Sequence, residues 1–279
     1  MKNRWKRTLI VSCCTVVVFA VIGAVSYQQW IKPYDLPKLD SGLSIQDYKL
    51  DFKLEKETPP VNSELTNREL LDLIKQSPDN LVYSTELRLR MSRESQPEQF
   101  IDLMNQVELT PDIVLQQALA YVDTLQDLDL GTAALGQKSA QSIHLLDELL
   151  SEDPYNVPAH YARGLNNLYW PQGLQRADKA VQDFAFCIAV EQMDPSIDFA
   201  FWPDIYTAFG DALVKAGDVS EGMTAWKQGF EKYPDDQALS ERAEADETEA
   251  YEIVKRDRGI DGFQRPDPAI SDISKLWKR

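Results

Sequence analysis

Three proline-bearing breaks constrain this chain more than any other feature. Asp153-Pro154, Asp194-Pro195 and Pro234-Asp235 each follow a strongly apolar stretch of helical spacing, and the prolines stand 41 and then 39 residues apart. A helix does not run through such a break, because proline lacks the amide proton and clashes with the preceding turn. The interval has room for two helices and a turn. One amphipathic pair cannot bury its own apolar face, so recurrence at this period predicts helix-turn-helix units stacked on one another.

Upstream, the same helical language continues in shorter words. Thr66 and Glu69 have capping-box spacing ahead of Leu70, Leu71, Leu73 and Ile74, and Ser77-Pro78 is expected to close that helix and open the next. Leu81, Leu87 and Met91 continue on a helical face, and Gln96-Pro97 and Thr110-Pro111 are further helix starts. The expected fold is all-α. Residues 62–110 read as N-terminal helices and 111–236 as the repeated units; 237–279 would be a capping helix and tail. That helix is expected to run unbroken from Gln237 to Arg256, with a thin apolar stripe at Leu239, Ala243, Ala250 and Val254. The tail from Gly259 onward reads as loose, or as docking through Ile273, Leu276 and Trp277.

The last unit, the 34 residues Pro203 to Asp236, resembles a tetratricopeptide repeat. Tyr206, Phe209-Gly210 and Leu213 match the first-helix pattern of an aromatic, a large apolar residue beside a glycine, and a further apolar residue. Gly217 marks the turn; Gly222, Trp226, Gly229 and Pro234 match the second helix and its end. Glycines at these positions let two backbones approach closely while the aromatics fill the layer between repeats. The preceding unit matches more loosely, with Tyr161, Gly164-Leu165 and Leu168, then Ala180, Phe184 and Cys187. What the resemblance implies is a solenoid whose first helices line a concave surface that receives a protein or peptide partner. Its groove-facing positions would be Asn166 and Tyr169 on one helix and Thr207, Asp211 and Lys215 on another. Asparagine suits such a place, since it both donates to and accepts from a partner backbone.

The N-terminus carries a different signal. Between Arg7 and Lys32 lie 24 residues without a formal charge, and Thr8 to Val25 is almost wholly apolar. A helix rising ~1.5 Å per residue needs about 20 such residues to cross a bilayer core. Lys2, Arg4, Lys6 and Arg7 precede the run, and Asp35, Asp40 and Asp47 follow it. This charge order places the N-terminus in the cytoplasm, with residues 1–30 as a single-pass anchor in the cell membrane and the main domain outside the cytoplasm. Two processing alternatives share the basic start and apolar middle: signal cleavage before Tyr27, and a lipoprotein-like site at Cys13. Residues 31–61, with Pro33, Pro37, Pro59 and Pro60, read as an extended stalk. Within it Tyr48, Leu50, Phe52 and Leu54 alternate with charged residues, as in a half-buried strand or an extended linker packed on the helical body.

Composition narrows the function. The first 30 residues hold four basic and no acidic residues, so the rest carries 25 basic against 45 acidic residues, a surface that repels nucleic acid. His144 and His160 are the only histidines and Cys187 the only cysteine beyond Cys13 and Cys14, so neither a metal site nor a nucleophile with its base is indicated. No phosphate loop, zinc-protease motif or nucleophile elbow occurs, and no cofactor is expected. The leading expectation is a membrane-anchored, non-enzymatic adaptor that binds a protein, in a setting such as bacterial envelope assembly, secretion or quality control. Its alternative is a small-ligand sensor or accessory subunit, with an aromatic pocket between Tyr169, Trp170 and Trp202. A carboxylate-pair hydrolase is a third possibility. Oligomeric state is not fixed by the sequence.

Overall fold

The computed structural model describes residues 30–39, 42–50, 64–193 and 199–277. The chain divides into two units, Met1–Tyr34 and Asp35–Arg279. In the first, a helix ends at Ile31, and the apolar run Thr8 to Val25 lies outside the described residues. Among the described residues, no helix is long and apolar enough to cross a membrane.

The second unit is all-helical among its described residues. Eleven α-helices lie wholly within them: α1 Asn67–Gln76, α2 Leu81–Arg93, α3 Pro97–Met104, α4 Pro111–Thr124, α5 Thr132–Glu152, α6 Val157–Leu168, α7 Ala177–Met193, α8 Trp202–Ala216, α9 Val219–Lys232, α10 Gln237–Ala243 and α11 Glu247–Arg258. Local chemistry sets their ends. Thr66 and Glu69 exchange hydrogen bonds as a capping box at α1, and the Thr110 hydroxyl accepts from the Ile113 amide at 3.3 Å to open α4 behind Pro111. Pro78, in contrast, does not open α2. Asn80 caps that helix instead, its side-chain oxygen accepting from the Val82 amide at 3.0 Å, so Pro78 sits in the turn.

The helix expected from Gln237 to Arg256 is two helices. Asp246 accepts from the Thr248 and Glu249 amides at 2.8 and 2.9 Å, and Glu249 accepts from the Asp246 amide at 3.0 Å. That capping box restarts the chain as α11 after α10 has ended at Ala243.

From α4 onward, consecutive helices pack as hairpins: α4 with α5, α6 with α7, α8 with α9. In the last hairpin Gly210 abuts Gly222 and Tyr206 abuts Gly229, so the two helices run antiparallel. A Cβ on Gly210 would stand 2.8 Å from the Gly222 carbonyl oxygen and 2.2 Å from Trp226 Nε1. A Cβ on Gly222 would meet the Gly210 carbonyl at 2.7 Å, so neither position admits a side chain without moving backbone. Gly217 ends α8 at φ +110°, a left-handed conformation that glycine adopts without a Cβ penalty. Trp226 is fully buried and donates its indole N–H to the Thr207 carbonyl at 3.2 Å. Phe209 and Leu213 are half-buried on the same helix, and Pro234 is exposed just beyond α9.

Residues 45–49 form a turn rather than a strand. Tyr48 and Leu50 nevertheless pack into the core at 2% and 1% exposure, and the Tyr48 carbonyl accepts from the Val157 amide at the start of α6. Phe52 and Leu54, the remainder of that alternation, lie outside the described residues. A second apolar cluster, with Leu70, Ile74, Leu87, Phe100 and Met104, fills the space among α1, α2 and α3.

Candidate functional site

The first helices of the hairpins present polar residues on a shared face, and this face is built of paired charges. On α4, Gln116 and Asp123 receive Arg88 of α2, whose guanidinium donates to them at 2.8 and 2.6 Å. Between α5 and α6, Ser139 donates to Asn166 at 2.5 Å and receives the indole N–H of Trp170 at 2.8 Å. On α8, Asp211 takes Arg242 of α10 through both oxygens, at 2.7 and 3.2 Å, and Arg258 of α11 at 2.7 Å. Bidentate guanidinium–carboxylate pairing of this kind is the geometry that tolerates burial. Arg258 also donates to the Tyr169 hydroxyl, with its guanidinium over the Tyr169 ring. Lys215 donates to the carbonyls of Leu168 and Arg258 at 2.8 and 3.0 Å. Burial, with Arg258 nearby, pushes the Lys215 ammonium down to about 7, Asp211 opposing.

The five positions expected to face a groove therefore share one region of the helical body, yet it is not open to solvent. Asn166, Tyr169 and Thr207 are 5%, 3% and 6% exposed, and Asp211 and Lys215 are wholly buried. Asp211 and Lys215 join α8 to the capping helices and to the end of α6. Part of the cover is the tail. The Gln172 amide donates to the Ile260 carbonyl at 2.9 Å and the Gln264 amide to the Tyr169 carbonyl at 3.2 Å. Phe263 sits edge-on against Trp170, with ring centroids 5.4 Å apart. Arg265 then inserts among four carbonyls at the end of α4 and the following loop, donating to Leu125, Asp127, Leu128 and Leu130 at 2.6, 2.7, 3.4 and 2.8 Å. Further on, the Ser271 carbonyl accepts from Arg88 at 2.5 Å, Ile273 enters the core, and Lys275 pairs with Asp204 at 2.6 Å.

Between tail and groove a cavity of about 170 Å³ remains, with Tyr161, Tyr169, Phe201, Thr207, Arg258 and Ile273 among its walls. The pocket expected between Tyr169, Trp170 and Trp202 is not formed this way. Trp202 is fully buried and stacked on Phe201 at 4.6 Å, while Trp170 points to Ser139 and Phe263. A wider cleft of about 680 Å³ opens between the α2–α3 turn and residues 123–130, with Leu128 83% exposed among its walls.

Of the remaining candidates for chemistry, His160 and Cys187 are buried. His160 Nδ1 lies 2.7 Å from Asp183 and Nε2 lies 2.9 Å from the Pro154 carbonyl, so both ring nitrogens face oxygen. Burial works to raise the Asp183 carboxyl, but Arg163 and His160 outweigh it and hold it below its ordinary value. Burial pushes the Cys187 thiol well up, away from a reactive thiolate. His144 is exposed beside Glu148 at 3.4 Å. Among the described residues, no group of three or more His, Cys, Asp or Glu side chains is arranged to hold a metal ion.

Sequence reasoning missed Arg88, Arg242, Arg258 and Arg265, all of which find their carboxylate or carbonyl partners far along the chain. The only signal for Arg265 is compositional: the segment from Gly259 on holds four basic and three acidic residues, against the acidic body before it.

No family model and no curated protein matches the chain. Among solved structures the chain is similar to that of a MamA mutant, at 20% identity, over 72% of this chain and 97% of that one, with a TM-score of 0.40.

Proposed function

We propose that this chain is a helical-repeat scaffold that holds a segment of another protein on the face of its first helices. One observation carries the reading: that face holds a polypeptide segment that is non-helical over residues 259–267, through backbone hydrogen bonds at Tyr169 and Gln172 and a side-chain socket for Arg265. Pro266 and Pro268 bias the residues before them toward extended backbone, the form in which peptides are read along a groove. The scaffold is tethered by the apolar run Thr8 to Val25 to the cell membrane, its N-terminus cytoplasmic and its helical body on the far side, following the charge order around that run. No catalytic role is assigned to it.

The test uses full-length protein in its native membrane, with a photo-crosslinking residue at exposed Leu128 beside the cleft and, separately, at exposed Lys227 on α9. Capture of a defined protein from Leu128 and not from Lys227 is the expected result. Identical captures from both sites, or none from either, reject a binding face here.

A further inference from the structure

The same groove shows which chemistry it reads. Arg265 offers four terminal N–H protons and each finds a carbonyl: its Nη1 those of Leu125 and Asp127, its Nη2 those of Leu128 and Leu130. Leu125 is the C-cap of α4, where the helix dipole is negative, and the other three carbonyls follow it in the loop. A planar fork of donors fits such a crown, whereas an ammonium would reach it as a point charge. The body supplies a matching long-range field, since the acidic residues outnumber the basic ones by a wide margin outside the first 30 residues.

The fit of the tail to the groove is incomplete. Two buried side-chain oxygens lack a hydrogen-bond partner among the described residues, Thr207 Oγ1 on the groove wall and Ser274 Oγ in the tail. The cavity of about 170 Å³ lies between the same two surfaces. Thr207 lines that cavity, so the tail leaves a groove hydroxyl beside open space where a better-fitting segment could pair it. The polar groups of the groove also pair within the body, Arg88 with Asp123 and Gln116, Asn166 with Ser139, and Asp211 with Arg242 and Arg258, and the tail adds the Ser271 carbonyl to Arg88 and the Ser271 hydroxyl to Asp123.

We propose that residues 259–277 are a displaceable occupant of the groove, and that the partner which replaces them is a protein segment carrying an arginine for the carbonyl crown at 125–130. This rests on the scaffold reading above and names the partner's chemistry and the contact that withholds the groove from it. A tethered tail has a high local concentration, so a free segment competes only when it binds more tightly or when the tail is held elsewhere.

The experiment keeps the full chain. A protease site inserted between Asp261 and Gly262 falls at an exposed turn, where a Cβ on Gly262 would meet nothing within 4 Å. The folded protein is nicked there and titrated with a fluorescein-labelled peptide of residues 262–279, or its Arg265→Ala and Arg265→Lys forms, followed by anisotropy. The native peptide is expected to exchange into the nicked protein and to bind the uncut protein roughly tenfold more weakly or worse. The Arg265→Ala peptide is expected to lose about tenfold or more, with Arg265→Lys between the two. A nicked chain that loses its helical circular dichroism, or keeps its own fragment against excess peptide for a day, makes the tail a permanent part of the fold and overturns the proposal. Equal binding of the Arg265→Ala peptide overturns the crown. A dimer of the uncut protein that disappears on Arg265→Ala replaces the partner with a second copy's tail. Exchange of the native peptide with no protein captured from Leu128 in the membrane leaves the crown standing and rejects the scaffold reading alone.

Discussion

Lys215 is the residue whose burial has the clearest consequence. An unfolded lysine keeps its proton to near 10.5, whereas burial brings the folded one down to about 7. Between those values the unfolded chain binds more protons, so the Lys215 contribution to stability rises with pH, by up to about 1.4 kcal/mol per pH unit for one proton. Urea unfolding at pH 6.5 and pH 9 of the wild type and of Lys215→Met should therefore diverge, the wild type gaining more on the alkaline side. Parallel pH profiles would mean the ammonium stays charged on its two carbonyls. Asp183 works in the opposite sense: its depressed carboxyl contributes stability that is present above the ordinary carboxylate range and lost as pH falls through the folded value. At Gly210 the constraint is steric. A methyl there meets the Gly222 backbone and the Trp226 indole, so Gly210→Ala should cost about 1–3 kcal/mol by thermal unfolding, while Gly131→Ala, with open space around it, should cost far less. Gly210, Gly222 and Trp226 were legible in the sequence because close approach within one hairpin is a local demand. The burial of Asp211 and Lys215 was not, because their partners Arg242, Arg258 and the Leu168 carbonyl lie 31 to 47 residues away.

At the scale of elements, helix starts were the readable feature, since a cap is written in three or four adjacent residues. Thr66 with Glu69 and Thr110 with Pro111 each place a side-chain acceptor where orphan amides need one. Asp246 with Glu249 has the same signature, but a run rich in glutamate also reads as one continuous solvated helix, and so the break between α10 and α11 was hidden. The break matters for the site, because it lets Arg242 and Arg258 reach Asp211 from two separate helices. Asp246→Ala removes the acceptor for two amides and should cost about 1 kcal/mol. Circular dichroism melts would register the loss. Hydrogen exchange would locate it, with protection falling in the first turn of α11 and unchanged in α8 and α9.

For the whole molecule, the question is how the tail is joined to the rest. Periodicity announces the hairpins because each buries a recurring apolar stripe, but a segment held by Arg265, by Ser271 on Arg88 and Asp123, by Lys275 on Asp204, and by Phe263 and scattered isoleucines leaves no periodic trace. Hydrogen bonds to a charged group contribute roughly 1.5–3 kcal/mol, and Arg265 makes four of them to one loop. Opening of the tail should therefore need much less free energy than unfolding of the hairpins, whose amides open only with the core. In native-state hydrogen exchange the Gln264 amide, bonded to Tyr169, should exchange faster than amides within α8. Arg265→Ala should accelerate Gln264 about tenfold or more, the factor that about 1.4 kcal/mol supplies, and leave α8 and α9 unaffected. If instead the substitution speeds exchange throughout α4 to α9, the tail and the hairpins open as one cooperative unit, and the groove is closed for as long as the protein is folded.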